Sequence, residues 1–199
     1  MKELGLKSRI RRKRKYYSKE NSKEQISPNL LMRDFKALRA DEKWATDITY
    51  LLYGNRKAYL SVILDLYNLE VVSYGVSYSN NLQLAAGVVM KACLKRGYTK
   101  GVILHSDQGG CYTSRYYCKL LEKRGIRQSM SAKGNCLDNA PAECFFSHLK
   151  SELIYLEDFA SMEEMIMKVE EYIDFYNNRR IQLRLNKMAP VEYRSHNIN

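Results

Sequence analysis

Three strand-like segments follow one another closely between residues 44 and 76, and this order limits the folds that the chain can adopt. They read "WATDITYLL" (44–52), "KAYLSVILDL" (57–66) and "LEVVSYGV" (69–76), and they are rich in β-branched, aromatic and aliphatic residues. Only "YGNR" and "YN" separate them. Because connections this short join antiparallel neighbours, the first three strands are predicted to form an antiparallel sheet.

Helices and strands alternate in the segment that follows. Apolar residues recur at helical spacing in "NNLQLAAGVVMKACLKRG" (80–97), and a second helix is predicted from Ser114 to Gly125. "GVILH" (101–105) and "IRQSM" (126–130) are predicted as short strands. The order βββαβαβ predicts an α/β fold, in which a mixed five-stranded sheet is flanked by helices.

Two further helices are predicted near the end of the chain. One begins around Pro141, since proline is tolerated in a first helical turn. The other opens with Ser161 and Glu164 at capping-box spacing, and its apolar residues share one face. Both helices are expected to cover the sheet.

The composition is that of a globular chain without an obvious membrane or zinc-binding segment. With 199 residues, 45% of them hydrophobic, the chain can bury a core as one domain or one domain with an appendage. No apolar run approaches the 18 or so residues of a membrane span, which predicts a cytoplasmic protein. The five cysteines form no CxxC pair and are expected to be reduced core residues.

The net charge of +11 is concentrated near the amino terminus. Residues 1–36 hold 12 basic and 4 acidic residues, and "RIRRKRK" is basic at six of its seven positions. These six are Arg9, Arg11, Arg12, Lys13, Arg14 and Lys15. Such a block neutralises phosphates and predicts a nucleic-acid-binding arm, the alternative being a solvated tail. We therefore assign residues 1–40 to a basic arm and linker, and 41–194 to the folded core.

Three acids stand out by position. Asp47 lies inside the first strand, where an unpaired carboxylate is costly unless that strand is a sheet edge with Asp47 facing solvent. Asp107 follows the "GVILH" strand, at the kind of strand end where α/β proteins place functional groups. Glu143 lies early in its helix and shares a stripe with Ser147 and Lys150.

If the fold brings these acids together, their mutual repulsion requires a compensating cation. Hard oxygen ligands without cysteine or histidine favour Mg²⁺ or Mn²⁺. Two such ions about 4 Å apart can activate an attacking oxygen and stabilise a leaving oxygen in phosphodiester chemistry.

Five ordered motifs carry a family resemblance. They are "WATDITY", "HSDQGGCYTS", "SMSAKGNCLDNAPAECFFSHLKSE", "YIDFYNNRR" and "MAPVEYR". Together they resemble the catalytic part of bacterial insertion-sequence transposases related to retroviral integrases, the DDE recombinases. The 35 residues between Asp107 and Glu143, and the basic Lys150 seven positions later, also match that pattern. The resemblance extends over residues 41–194.

The resemblance implies an RNase H-like core with Asp47, Asp107 and Glu143 as catalytic and metal-binding acids. Asp47 would be shared between two Mg²⁺ or Mn²⁺ ions, which compensate its burial. The implied reaction is cleavage of DNA at the element's ends to free a 3′-hydroxyl, followed by strand transfer. Lys150 would bind DNA near the scissile phosphate; otherwise it is a surface lysine.

Residues near the acids receive supporting roles. By strand alternation His105 faces the same way as Asp107, which predicts a hydrogen-bond partner for a metal-bound carboxylate, with a packed histidine as the alternative. Asn135, Asp138 and Asn139 are expected to shape the loop before the Glu143 helix, and Asn139 is a candidate helix cap. Asp65 matches an acid common in the family, without an assigned metal role.

The resemblance also implies partners. Transposases of this kind carry a helix-turn-helix region upstream of the core, and residues 1–18 resemble only its end, which suggests an amino-terminally truncated chain. We expect DNA, further copies of the chain on DNA, and an upstream helix-turn-helix protein or fusion as partners, with localisation at the bacterial nucleoid when bound. Three alternatives remain: an inactive DNA-binding remnant that modulates the full-length transposase, a hydrolytic RNase H-type nuclease, and a structural module.

Overall fold

The computed structural model describes residues 25–132 and 136–196. The basic residues Arg9 to Lys15 and the loop at 133–135 lie outside the described residues. The strands are β1 (Lys43–Tyr53), β2 (Arg56–Asp65), β3 (Val71–Ser77), β4 (Ile103–Ser106) and β5 (Arg127–Met130). The α-helices are α1 (Leu82–Arg96), α2 (Arg115–Lys123), α3 (Ala140–Leu149), α4 (Met162–Asn178) and α5 (Pro190–His196).

The five strands form one mixed sheet in the order β3-β2-β1-β4-β5. The first three are antiparallel neighbours, and β4 and β5 run parallel to β1. The predicted α/β fold with a mixed five-stranded sheet is therefore confirmed. Strand β1 is central, so Asp47 does not lie on an edge strand of this sheet.

Helices cover both faces of the sheet and divide the core into two layers. On one face, Phe145 and Leu149 of α3 and Val169 of α4 pack against strand residues such as Leu51. On the other face, residues of α1 and α2 pack around the fully buried Trp44. Apolar residues at helical spacing produce this arrangement, because each helix buries one stripe against the sheet.

The pairing between β1 and β4 is short, and this creates an opening in the sheet. The parallel ladder runs from Lys43↔Ile103 to Ala45↔His105 and has no further pair. Beyond Ala45, β1 keeps its partner β2 as far as Tyr53. One edge of β1 is thus released from Thr46 onward, and Asp47 lies where the two parallel strands separate.

The packed region begins before the predicted boundary at Asp41. Leu31 is 2% exposed and belongs to the α3–α4 side of the core. The Leu30 amide donates to Ser129 Oγ at 2.8 Å, and the Met130 amide donates to the Pro28 carbonyl at 3.3 Å. Residues 28–31 therefore lie along β5, although they belong to a largely polar segment that was assigned to the linker.

Two of the family-like motifs brace the sheet at its margins. Asn177 pairs with the backbone of Val71, accepting from its amide at 2.8 Å and donating to its carbonyl at 3.0 Å. Arg194 of α5 forms ion pairs with Asp41 at 2.6 Å and with the buried Asp65 at 3.3 Å. These contacts attach α4 and α5 to the sheet, and they give Asp65 a structural role.

Two expectations from composition can be compared with the structure. Cys93, Cys111, Cys118 and Cys144 are free thiols. Of these four, only Cys93 is buried, and Cys144 is exposed. Within residues 25–132 and 136–196, no helix has both the length and the apolar character needed to cross a bilayer.

Candidate active site

Asp47 is a half-buried carboxylate on the central strand. Its Oδ1 accepts a hydrogen bond from the Ile48 amide at 2.7 Å. Burial raises the pKa of Asp47 to about 7, and the charges of Asp107 and Glu143 push in the same direction. The Ile48 amide and the Lys150 ammonium oppose this rise. Asp47 therefore interacts electrostatically with all three predicted partners.

Asp107 follows the last residue of β4, two positions beyond the Ala45↔His105 pair. Because Asp47 is also two positions beyond that pair, the parallel register brings the two aspartates to the same level. Asp107 is exposed, and its Oδ1 accepts a hydrogen bond from the Gly109 amide at 2.9 Å. The turn after β4 thus orients this carboxylate through the backbone of Gly109.

Gly109 has a steric reason to be glycine. A Cβ atom at this position would lie 2.9 Å from Asp107 Oδ1, which is closer than real Cβ atoms approach an oxygen. At the neighbouring Gly110 an added Cβ would meet no atom within 4 Å. The sequence does not reveal this difference within "DQGG", because adjacent glycines are equivalent until their surroundings are known.

Glu143 lies exposed in the first turn of α3, which packs against β1 and β2. The three carboxylates share an electrostatic neighbourhood, yet within the described residues no three acidic, histidine or cysteine side chains form a closed metal-binding cluster.

The donor set fits a hard divalent cation. All three side chains offer carboxylate oxygens, which Mg²⁺ and Mn²⁺ prefer. Asp47 has no ion-pair partner among the described residues, although burial disfavours its charge. A cation bound beside Asp47 would remove that cost.

Lys150 follows α3 in a π-helical turn, Lys150–Ile154. This turn changes the helical register directly after Leu149, and π-turns of this kind often occur at functional sites. The lysine head is not extended freely into solvent, because its Nζ lies 5.5 Å from the centre of the Tyr50 ring. Tyr50 was not singled out in the sequence.

Asn139 occupies the predicted cap position of α3, but its side chain makes no capping hydrogen bond. Instead, its Nδ2 donates to the Thr46 carbonyl at 3.3 Å, and the side chain is 5% exposed. Asn139 thus stands at the start of the helix as predicted, but the capping hydrogen bond expected from its side chain is wrong. The contact made instead ties the start of the Glu143 helix to the residue before Asp47.

His105 is a packed histidine. It is fully buried, and its Nδ1 lies 2.8 Å from Ser129 Oγ on β5. Burial lowers the pKa of His105, which favours the neutral ring. Within the described part of the chain, no hydrogen bond joins His105 to Asp107. The predicted hydrogen bond to Asp107 is therefore wrong, and His105 instead contacts β5.

Asp138 organises the approach to α3. Its carboxylate forms an ion pair with Arg33 at 2.8 Å and accepts hydrogen bonds from Asn29 Nδ2 and the Ala132 amide, each at 3.2 Å. The Arg33 guanidinium lowers the pKa of Asp138. The expected loop-shaping role is therefore seen for Asp138, while Asn135 lies outside the described residues.

We predict that Gly109→Ala weakens Mn²⁺ binding by about 10-fold or more, because the new Cβ displaces Asp107 Oδ1. Isothermal titration calorimetry measures the affinity. Gly110→Ala is the matched control and should bind Mn²⁺ like the unchanged protein. Equal affinities in the two variants would contradict the assigned role of Gly109.

We also predict that Asp47→Asn stabilises the metal-free protein at pH 8. The pKa of Asp47 in the folded state, about 7, lies above that of an exposed aspartate, so the folded state binds more protons between about pH 4 and 7. Its contribution to stability is present below about pH 4 and is lost as the pH rises through 7. The variant lacks this loss.

Thermal melts in EDTA at pH 4.5 and pH 8 test this prediction. The variant should melt about 2–6 °C higher at pH 8, and the difference should shrink toward pH 4.5. Asp65, whose pKa burial also raises to about 7, titrates in both proteins and cancels in the comparison. A difference that is independent of pH would show that the charge of Asp47 is not its source.

Family comparison gives two matches to the description "Integrase core domain", one over residues 37–136 and one over residues 143–198. Together they include Asp47, Asp107, Glu143 and Lys150. The chain is also 47% identical over 192 residues to the transposase InsK of insertion sequence element IS150 from Escherichia coli K12. That alignment covers 96% of this chain and 68% of the relative.

Solved structures show the same fold at low sequence identity. The catalytic core domain of HTLV-2 integrase, solved in complex with magnesium in a trimeric form, matches with a TM-score of 0.61 at 14% identity, over 79% of this chain and 99% of that one. A chain of the simian T-cell lymphotropic virus intasome, in complex with the PP2A regulatory subunit B56 gamma, matches with a TM-score of 0.67 at 15% identity, over 87% and 60%. The sheet and its helices are therefore RNase H-like, and the chain belongs to the integrase core family as a bacterial insertion-sequence transposase of the DDE type.

Proposed function

We propose that Asp47, Asp107 and Glu143 are the catalytic acids with which this transposase core cleaves DNA and transfers strands. The observation that carries the proposal is the electrostatic environment of Asp47. Its pKa is raised to about 7 by burial and by the two other acids, and Lys150 acts in the opposite direction. Three carboxylates and one lysine from separate elements thus act on one another at the point where β1 and β4 separate.

Membership of the integrase core family implies a dependence on divalent metal, and the HTLV-2 integrase core was solved with magnesium. We propose that the three carboxylates hold two Mg²⁺ or Mn²⁺ ions. Such ions supply activation of the attacking oxygen and stabilisation of the leaving oxygen. The fit rests on the all-oxygen donor set and on the uncompensated charge of Asp47.

The protein's own residues position the DNA and the acids. In strand transfer, a free 3′-hydroxyl oxygen forms a new bond to phosphorus while the bond from phosphorus to the original 3′-oxygen breaks, without a covalent bond to the protein. Lys150 holds the phosphate near Asp47 through its positive charge. Asn139 keeps the Glu143 helix against Thr46, and the Gly109 amide orients Asp107.

The proposed partners are DNA and further copies of the chain. Family membership implies DNA binding and assembly into an oligomer. We propose that the amino-terminal segment before residue 28 forms the DNA-binding arm, with contacts from Arg9, Arg11, Arg12, Lys13, Arg14 and Lys15, and that the catalytic core begins with the packed residues 28–31 and extends to residue 194. An upstream helix-turn-helix protein or fusion would supply recognition of the element's ends, at the nucleoid.

A strand-reversal assay on a branched oligonucleotide that mimics a joined element end tests the proposal. With Mn²⁺ or Mg²⁺ the full chain should release the element end from the branched oligonucleotide and rejoin the interrupted target strand. EDTA should abolish this rejoined product. Glu143→Gln should lower the rate by about 10³-fold or more, since it removes a carboxylate that holds the metal.

The matched control is Glu122→Gln, which changes an exposed glutamate on α2 and should retain full activity. Hydrolysis without strand joining would favour a nuclease. Folded protein without any metal-dependent product would favour the inactive DNA-binding remnant.

A further inference from the structure

We propose that Tyr50 and Lys57 form, together with Lys150, a cradle that binds a phosphate of the DNA backbone beside the three acids. This inference rests on the proposed function and names a further part of its substrate-binding surface. Neither Tyr50 nor Lys57 belongs to the acid constellation or to the basic arm.

The cradle is built around one tyrosine ring. Lys57 Nζ lies 5.0 Å from the centre of the Tyr50 ring, and Lys150 Nζ lies 5.5 Å from the same centre. Lys57 Nζ is also 5.9 Å from the ring of Tyr59, which pairs directly with Tyr50 across β1 and β2. Both ammonium groups are within the range of a favourable contact with an aromatic face.

Both ammonium groups lie near one ring, and the described structure offers neither of them a carboxylate within ion-pair distance. Arg56, directly before Lys57, differs because it pairs with Glu163 at 3.2 Å. Lys43 on the same sheet pairs with Asp34 at 2.8 Å. The charges of Lys57 and Lys150 therefore remain available to attract an anion.

The position of the cradle indicates which anion it binds. Tyr50 is 51% exposed and lies on the part of β1 that has no pairing with β4, three residues after Asp47 and therefore on the opposite face of the strand. Lys150 contributes both to the charge balance at Asp47 and to the ring contact at Tyr50. A phosphodiester that contacts both lysines would thus belong to the DNA strand whose phosphate lies at the acids, or to the neighbouring strand.

DNA binding in EDTA tests the cradle separately from catalysis. Fluorescence anisotropy of a labelled duplex, measured across a series of NaCl concentrations, gives the affinity and the slope of log K against log[NaCl]. Lys57→Gln should reduce the magnitude of this slope by about 0.9, which corresponds to the loss of one phosphate contact. The full chain is used throughout.

Lys123→Gln is the matched control because it removes the same charge from an exposed site on α2, which packs against β5, two strands away from β1. It should leave the slope unchanged. If Lys57→Gln and Lys123→Gln change affinity and slope alike, the cradle is overturned. Failure of the proposed function would be detected in the strand-reversal assay, as the absence of metal-dependent strand joining.

Variants of Tyr50 test the role of the ring. Tyr50→Phe keeps the aromatic face and should bind DNA like the unchanged protein, whereas Tyr50→Leu should weaken binding about as much as Lys57→Gln. Combining Tyr50→Leu with Lys57→Gln should add little, because both act on one contact. Fully additive losses would overturn the shared cradle, and far-ultraviolet circular dichroism verifies that the variants are folded.

Discussion

The charge of Asp47 on the central strand is the constraint on which the site depends. A carboxylate there is half-buried, lies on the same face as apolar packing residues and is influenced by two further acids, so its pKa rises to about 7. The fold tolerates this cost because β4 ends early and leaves one side of β1 open. The same opening leaves space beside Asp47 for cations and for DNA.

The neighbouring structure holds the other groups around Asp47. The Gly109 amide orients Asp107, and Asn139 joins the beginning of the Glu143 helix to Thr46. Lys150 leaves α3 through a π-turn that brings its head to Tyr50. Backbone amides thus orient the two aspartates, and a side-chain amide fixes the beginning of the helix that carries Glu143.

The sheet was predictable from the sequence because the patterns that indicate its strands and connections lie within short segments. Short connections fixed the antiparallel order of β1 to β3, and helical spacing identified α1, α2 and α4. The common level of Asp47 and Asp107 could not be derived from spacing, because it depends on the register in which β4 pairs with β1. Only the family-like motifs suggested that these two acids and Glu143 converge.

The errors concern contacts between residues far apart in the chain. His105 is buried on β4, and its partner is Ser129 on β5, which strand alternation cannot identify. Asn139 stands at a helix start yet bonds to Thr46, 93 residues earlier. Residues 28–31 were assigned to a linker because the segment around them is polar and lacks periodicity, whereas their contacts with β5 are backbone hydrogen bonds to residues about 100 positions later.

The central claim is that Asp47 and Asp107 are ligands of one divalent cation. Anomalous diffraction from crystals grown with Mn²⁺ tests it most directly. The account predicts a peak with oxygen atoms of both carboxylates at about 2.1–2.2 Å, lost in Asp47→Asn. A structure in which Mn²⁺ binds only elsewhere, for instance at Asp41 and Asp65, would contradict the account.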